Sequence, residues 1–507
     1  MIQSKSIRVL KTFSEEELKQ FSDFLRSPFH NKNKNLIKLF NILEKYHSQY
    51  EVENEIVYSK VYPGKKYNYD NLKKLMSELF LILEMFLSHL KLKKEKFTSD
   101  KYLLEEYVQR KLNELFLFKV KKVNEKLEAK NCYNIGFEDK FYLECLIKDF
   151  YIDNNMVFTI PLDRLIRKSE YLLCFFLENM LTDINDIISL RGLGRNKFKQ
   201  SLITESFLQS LDIKIFLEYL SHNKIKNNYI VFLINSILML MYPKNETYFN
   251  QAKHLILNNY DYIYKENPKE FSGYFLILAN YCGKMSKRGK TEFNLEGFEL
   301  YKHYLKVLSE SFDKGENTMQ SLFYLNLIMK GITVNELDWV EEFIRNYTKY
   351  LEQKDRENTY NYANALLNFK KEKYEKSLSY LSKIPLKSNN YPNLEINLAT
   401  LKCYFELALY DAAFSLIDSS KHYLLTTNEF DYKAKEYFMK SLIIMYKLFK
   451  LKIKVYSDDT LKIELSKLKS KITYGMAVSR KWCLAKIEEL EKSIPVKIIT
   501  NSQDRLK

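Results

Sequence analysis

The segment Arg191-Gly192-Leu193-Gly194-Arg195-Asn196-Lys197 is the sharpest local concentration of chemically useful residues in this 507-residue chain. It gathers two of the 11 glycines and two of the 12 arginines. Glycine turns next to a helix start expose backbone amides, and guanidinium groups beside them add positive charge. Arg191, Gly192, Gly194 and Arg195 are therefore a candidate anion site. No apolar strand-like run precedes them, and neither the full dinucleotide glycine spacing nor a GK[ST] follows. The plainer reading is a flexible basic loop between helices.

Other side chains capable of chemistry stand apart. His30, His47, His89, His222, His254, His303 and His422 form no HExxH or HxH and have no adjacent acid suited to metal ligation. The six cysteines, Cys132, Cys145, Cys174, Cys282, Cys403 and Cys483, include no CxxC pair, and each lies among apolar or aromatic neighbours, as buried structural thiols do. That usage suits a reducing compartment. Carboxylates such as Glu105-Glu106, Glu341-Glu342 and Glu488-Glu489 are sequence neighbours, so on a helix they point about 100° apart, which suits solvation better than shared acid–base work. A GxSxG elbow is missing as well. The residues nominate no catalytic group, metal ligand or cofactor site, and the expectation is a protein that is not an enzyme.

Charge offers a second functional reading. The net charge is +16, and of its 80 basic residues only 12 are Arg, whose planar fork suits specific nucleic-acid contacts. A lysine-dominated excess gives a diffuse positive field instead. The excess is uneven: residues 91–130 carry 12 positive and 7 negative charges, and residues 450–507 carry 14 and 7. A nucleic-acid-associated regulator using these two segments is the alternative function; a solvated helical face is the bland one. The amino-terminal run Met1–Arg8 lacks the apolar stretch of a signal peptide. The longest apolar stretch, Tyr229 to Tyr242, closes at Pro243-Lys244 and is too short to span a bilayer. A cytoplasmic, membrane-free protein is expected.

The elements that must position these residues are helices. Eleven Gly and 8 Pro are too few to punctuate many short strands, while 46% hydrophobic content supports a sizeable core. Ser14-Glu15-Glu16-Glu17 reads as a capping box, followed by Leu18, Phe21, Phe24 and Leu25 at helical spacing and a stop at Ser27-Pro28. Further amphipathic helices are expected over 36–43, 72–86, 101–130, 138–150, 162–182 and 198–220, with essentially no sheet. The boundaries read as 1–130, 131–265, 266–450 and a capping region 451–507.

The second half repeats. Leu337, Tyr374 and Tyr410 are spaced 37 and 36 residues apart. Three positions later stand Val340, Ser377 and Ala413; nine positions before the anchors lie Ile328, Ala365 and Leu401. Helices of about twelve residues flank each anchor, and neither can bury its apolar face alone, so neighbouring pairs must stack. At these residues, best in Ala365–Leu378 and Tyr404–Ala413, the chain resembles tetratricopeptide-like helical repeats over roughly 270–425, with Phe271–Phe312 as a more degenerate unit. Serine takes an alanine place at Ser377, and Glu372 holds a turn position often given to glycine. The runs Phe24–Phe29 and Arg480–Leu484 are also similar to a bacterial group of repeat proteins without assigned activity.

The resemblance implies an all-α fold, an α–α superhelix or solenoid of stacked antiparallel helix pairs. It also implies a scaffold or adaptor that binds a protein or peptide segment in a concave groove. Carried onto this sequence, the groove positions are Tyr362, Phe369, Lys370 and Lys402, the lysines facing a partner's carboxylates and the aromatics its apolar side chains. The family's carboxylate-clamp arrangement is not reproduced, which argues against chaperone tails.

Overall fold

The computed structural model describes residues 4–128, 136–192, 206–207, 210–222, 227–315, 318–385, 393–427, 432–453, 458–472 and 479–494. Among them the fold is all-α: there is no strand, and one isolated bridge joins Met319 to Leu351. The chain divides into two compact units, one of residues 1–237 and 254–270, the other of 238–253 and 271–507. Within each, helices pack on those next to them in the chain, the stacking of a helical-repeat solenoid.

In the first unit the local signals operate as read. Ser14 Oγ accepts from the Glu17 amide at 3.2 Å and the Glu17 carboxylate accepts from the Ser14 amide at 2.9 Å, so both halves of the capping box are made. That start orients helix Glu15–Arg26 so that Leu18, Phe21 and Leu25 are buried. Phe21 then meets Phe40 edge-on at 4.9 Å and Phe86 of helix Tyr69–Lys94 at 5.3 Å. The pattern expected over 101–130 is broken at Lys111, which takes φ 55° and separates helices Lys96–Gln109 and Asn113–Glu128, two helices that fold back on each other. Helix Leu162–Gly192 runs about ten residues beyond its expected end, so Arg191 and Gly192 are its last turn rather than loop. Gly194, Arg195 and positions 198–205 and 208–209 of the expected helix 198–220 lie outside the described residues; helix Ile213–His222 covers its end.

The second unit shows the repeat in its backbone. Three helix pairs follow in order: Ser321–Thr333 with Leu337–Tyr347, Gln353–Lys370 with Tyr374–Leu381, and Asn393–Glu406 with Tyr410–Thr426. Two residues before each anchor, Asn335, Glu372 and Ala408 take φ of 65°, 59° and 57°. One residue later an amide reaches back over the helix end: Glu336 N to Gly331 O, Lys373 N to Asn368 O and Leu409 N to Tyr404 O, each 2.9 Å. This is one C-terminal turn used three times, satisfying carbonyls the helix would otherwise orphan and reversing the chain into its partner helix. Gly289, at φ 100°, makes a similar turn after helix Pro268–Lys287, with Lys290 N bonded to Met285 O at 3.2 Å.

The small residues then set how closely paired helices approach. A Cβ added at Gly331 would lie 2.5 Å from Val340 Cγ2, so only glycine fits there. In the next pair Ser377 is buried and its hydroxyl donates to the Ala365 carbonyl at 2.8 Å, which explains how serine serves in an alanine place. Ala413 is fully buried in the third.

Two stability outcomes follow, both readable by urea unfolding. Glu372→Gly and Ala408→Gly, removing a Cβ from a left-handed residue, should each stabilise the chain by about 1 kcal/mol. Gly331→Ala should destabilise it by about 2 kcal/mol through overpacking against Val340, despite alanine's better helix propensity.

Candidate binding surface

Helix Gln353–Lys370 carries three of the four expected groove residues. Tyr362 is buried, Phe369 is half-buried with its ring 5.3 Å from Tyr374 and edge-on to it, and Lys370 is exposed at the last helical position. The fourth, Lys402, lies on the next first-of-pair helix, Asn393–Glu406. It keeps intermediate exposure, yet burial lowers its pKa, opposed by Cys483, Cys403 and Glu395. Glu395, two turns earlier on the same helix, is pushed up by burial and held back by Lys402. The structure therefore places Lys402 against the chain's own carboxyl-terminal helix, Arg480–Lys492, on which Cys483 is buried.

That helix is fastened to Asn393–Glu406 by a contact the sequence gives no way to find. Glu406 accepts from the Trp482 indole at 3.1 Å and from Lys486 Nζ at 2.9 Å. Both charged side chains are nearly buried, at 11% and 13% exposure, which is why the pair matters more than a surface one. Burial works against the Lys486 charge, but hydrogen bonds to Glu489 and Glu406 outweigh it and raise its pKa. The Trp482 ring meets Phe405 edge-on at 5.2 Å, and Lys452 Nζ donates to the Phe405 carbonyl at 2.8 Å. Seventy-six residues separate Glu406 from Trp482, so no spacing rule links them.

Some of the basic residues in the two lysine-rich segments are held in ion pairs. In 91–130, Lys91 pairs with Glu95, Arg110 with Glu106, and Lys119 with Asp100, which Lys126 also approaches at 3.5 Å. In the carboxyl-terminal segment Lys467 pairs with Glu464 and Lys469 with Glu491. Such pairing makes a mixed-sign face rather than a continuous basic track.

The first unit holds a buried polar group of another kind. Glu178 accepts from Tyr229 and from Asn267 Nδ2 at 2.6 Å, and Lys140 donates to the Glu266 carbonyl at 2.6 Å. Its carboxylate is occupied by donors within the protein, as a network that positions helices would be. Histidines serve packing: His30 stacks on Phe24 at 3.8 Å and His47 Nε2 meets the Phe13 carbonyl at 3.2 Å. Among the described residues no three His, Cys, Asp or Glu side chains gather at metal-binding range. Nor, among them, is any helix long and apolar enough to cross a membrane, and the apolar run of helix Asn228–Met241 is buried.

Comparison of the chain with protein-family models, with curated proteins and with solved structures finds no match to any of them.

Cysteine reactivity checks this packing. Burial, chiefly, pushes the thiols of Cys174 and Cys282 up to about 12 and that of Cys483 up to about 11, while Cys145 is half-buried. Alkylation of native protein at pH 8, read by peptide mass, should label Cys145 well ahead of these three, which should react only after unfolding. Glu406→Ala should destabilise by about 2 kcal/mol, since it takes from the largely buried Lys486 the more enclosed of its two carboxylate partners, Glu489 being the other, and leaves the Trp482 indole without its acceptor. A lysine whose pKa is raised on folding contributes stability that is full below its unfolded value of 10.5 and lost as pH rises through the folded value. The gap between wild type and Glu406→Ala should therefore close in strongly alkaline buffer.

Proposed function

We propose that the chain is a non-enzymatic scaffold of tetratricopeptide-like repeats that binds an extended segment of a partner protein along the wall formed by the first helices of its pairs. The observation that supports this reading is a set of exposed side chains on the first helices of two successive pairs, Leu322 and Met329 on one and Lys370 on the next. Thr359 and Leu366, 37 residues after Leu322 and Met329 in the next pair, are buried and half-buried, whereas the earlier two stand two turns apart on the outside of helix Ser321–Thr333. They are 70% and 45% exposed although both are large and apolar. Large apolar side chains left exposed on one helix face are what a binding surface for a partner requires, and they cost solubility otherwise. Phe369 and the exposed Lys370 follow on the next first helix, so the segment that fits carries apolar side chains followed by a carboxylate.

At Lys402 the wall of first helices meets helix Arg480–Lys492, which supports a groove open over residues 321–370 and covered by the chain itself beyond them. The ion pairing along 91–130 and 450–507 weakens the case for a nucleic-acid-associated regulator.

The test is affinity purification from the native host with mass spectrometry, comparing wild type with Leu322→Asp, Met329→Asp and Lys370→Glu. All three sites are exposed, so far-ultraviolet circular dichroism should match wild type. Each variant should lose the same partner by about tenfold or more, the scale of one hot-spot contact. Equal recovery by all three overturns the proposal.

A further inference from the structure

Helix Lys34–Glu44 of the first unit turns Leu36, Leu39, Phe40 and Leu43 into the core. Its opposite side is cationic. Lys34, Lys38, Asn41 and Lys45 follow one another at four, three and four residues, so they lie along one line of the helix. Lys45, at the carboxyl-terminal cap, keeps right-handed backbone angles and so holds that register. Arg26 supplies a fourth cation. From the end of helix Glu15–Arg26 its guanidinium donates to Asn41 Oδ1 at 3.4 Å and to Ser22 Oγ at 3.3 Å, which seats it beside Asn41. At a rise of about 1.5 Å per residue, the four cations step along the helix at intervals of about 6, 4.5 and 6 Å.

Carboxylates are what this stripe lacks. In segment 91–130 Lys91 pairs with Glu95 and Lys119 with Asp100. Arg26, Lys34, Lys38 and Lys45 are all exposed, and among the described residues none of them forms an ion pair. Glu44, the acid nearest to Lys45 in the chain, points about 90° away from the line around the helix. Like charges one turn apart weaken a helix, and a lysine in the first turn opposes the helix dipole, with no acidic residue there to offset it. A row of carboxylates laid along the stripe relieves both.

We propose that this stripe is a docking surface for an acidic α-helix of a partner protein, one that presents Asp or Glu once per turn. A partner helix repeats every 5.4 Å or so, as helix Lys34–Glu44 does, so its carboxylates stay level with the cations when the two lie side by side. Ile37 and Ile42, half-buried and about 70° to either side of the line, offer apolar contact along its borders. Three of the four cations are lysines, which suits carboxylates; a phosphate backbone is matched better by the arginine fork. The surface is separate from Leu322, Met329 and Lys370, and it stands whether or not those residues bind a partner.

Fluorescence anisotropy of a labelled alanine-based peptide, titrated with the full chain at low ionic strength, tests this. The peptide carries glutamate at every fourth position and has about 20 residues, enough to be helical alone. Wild type should bind it saturably, and added salt should weaken the binding. Lys38→Gln should weaken it about threefold and Lys38→Glu about tenfold, the scale of removing and of reversing one exposed charge. Lys38 is exposed, so circular dichroism of both variants should match wild type. Lys93→Glu, the same charge change at an exposed lysine of helix Tyr69–Lys94, should bind as wild type does. A peptide of identical composition with its glutamates scattered around the helix should bind about threefold more weakly. Absence of saturable binding, a loss at Lys93→Glu equal to that at Lys38→Glu, or equal binding of the scattered peptide overturns the proposal. So does a single-stranded oligodeoxythymidylate that binds more tightly than the peptide and loses affinity at Lys38→Glu, which assigns the stripe to nucleic acid.

Discussion

A left-handed residue closing a helix end is the constraint on which the second unit depends. Helices of this length present an apolar stripe that must be covered, and the cover comes from the next helix only if the chain reverses within a few residues. Asn335, Glu372 and Ala408 make that reversal, each followed by an amide that bonds back across the helix terminus. Two of the three are residues that pay a conformational cost there, offset by the carbonyls satisfied and by the area the paired helices bury. The reversal then dictates which positions meet. Gly331 faces Val340 because the turn brings them together, and Ser377 finds the Ala365 carbonyl for the same reason.

Polar groups in this protein divide by whether they have partners. Glu406 with Lys486 and Trp482, and Glu178 with Tyr229 and Asn267, are enclosed and satisfied, so they fix helices in place. Lysines along 91–130 alternate with carboxylates and remain ordinary surface. Lys284 Nζ and Ser479 Oγ differ in being withdrawn from water without a partner among the described residues. That difference in satisfaction, rather than the number of charges, separates an enclosed polar group from a solvated face.

The carboxyl-terminal helix Arg480–Lys492 links these themes. Its apolar side, Cys483 and Ile487, joins the core formed with helix Asn393–Glu406, so it acts as a cap on the stacked pairs. A terminal cap with one polar side is what a repeat array needs to avoid exposing its last apolar surface. Here the cap lies beside Lys402, a residue that a reading of isolated repeats assigns to an open groove.

Much of the architecture was legible because its causes are local. Ser14 and Glu17 are three residues apart and specify a helix start by themselves, and the anchors Leu337, Tyr374 and Tyr410 mark the pairs because helix periodicity and turn length recur in the chain. The break at Lys111 was not legible: its residue type does not advertise a left-handed conformation, and apolar positions continue on both sides of it. The exposure of Leu322 and Met329, the enclosure of Tyr362, and the meeting of Glu406 with Trp482 were beyond reach as well, since leucine or tyrosine on a helix faces core or solvent according to what packs against it. Sequence by itself thus determined the all-helical class and the repeat length, which follow from interactions between residues close in the chain. Only the tertiary structure decided which cations keep a carboxylate and which are left with none, because that depends on contacts made across scores of residues.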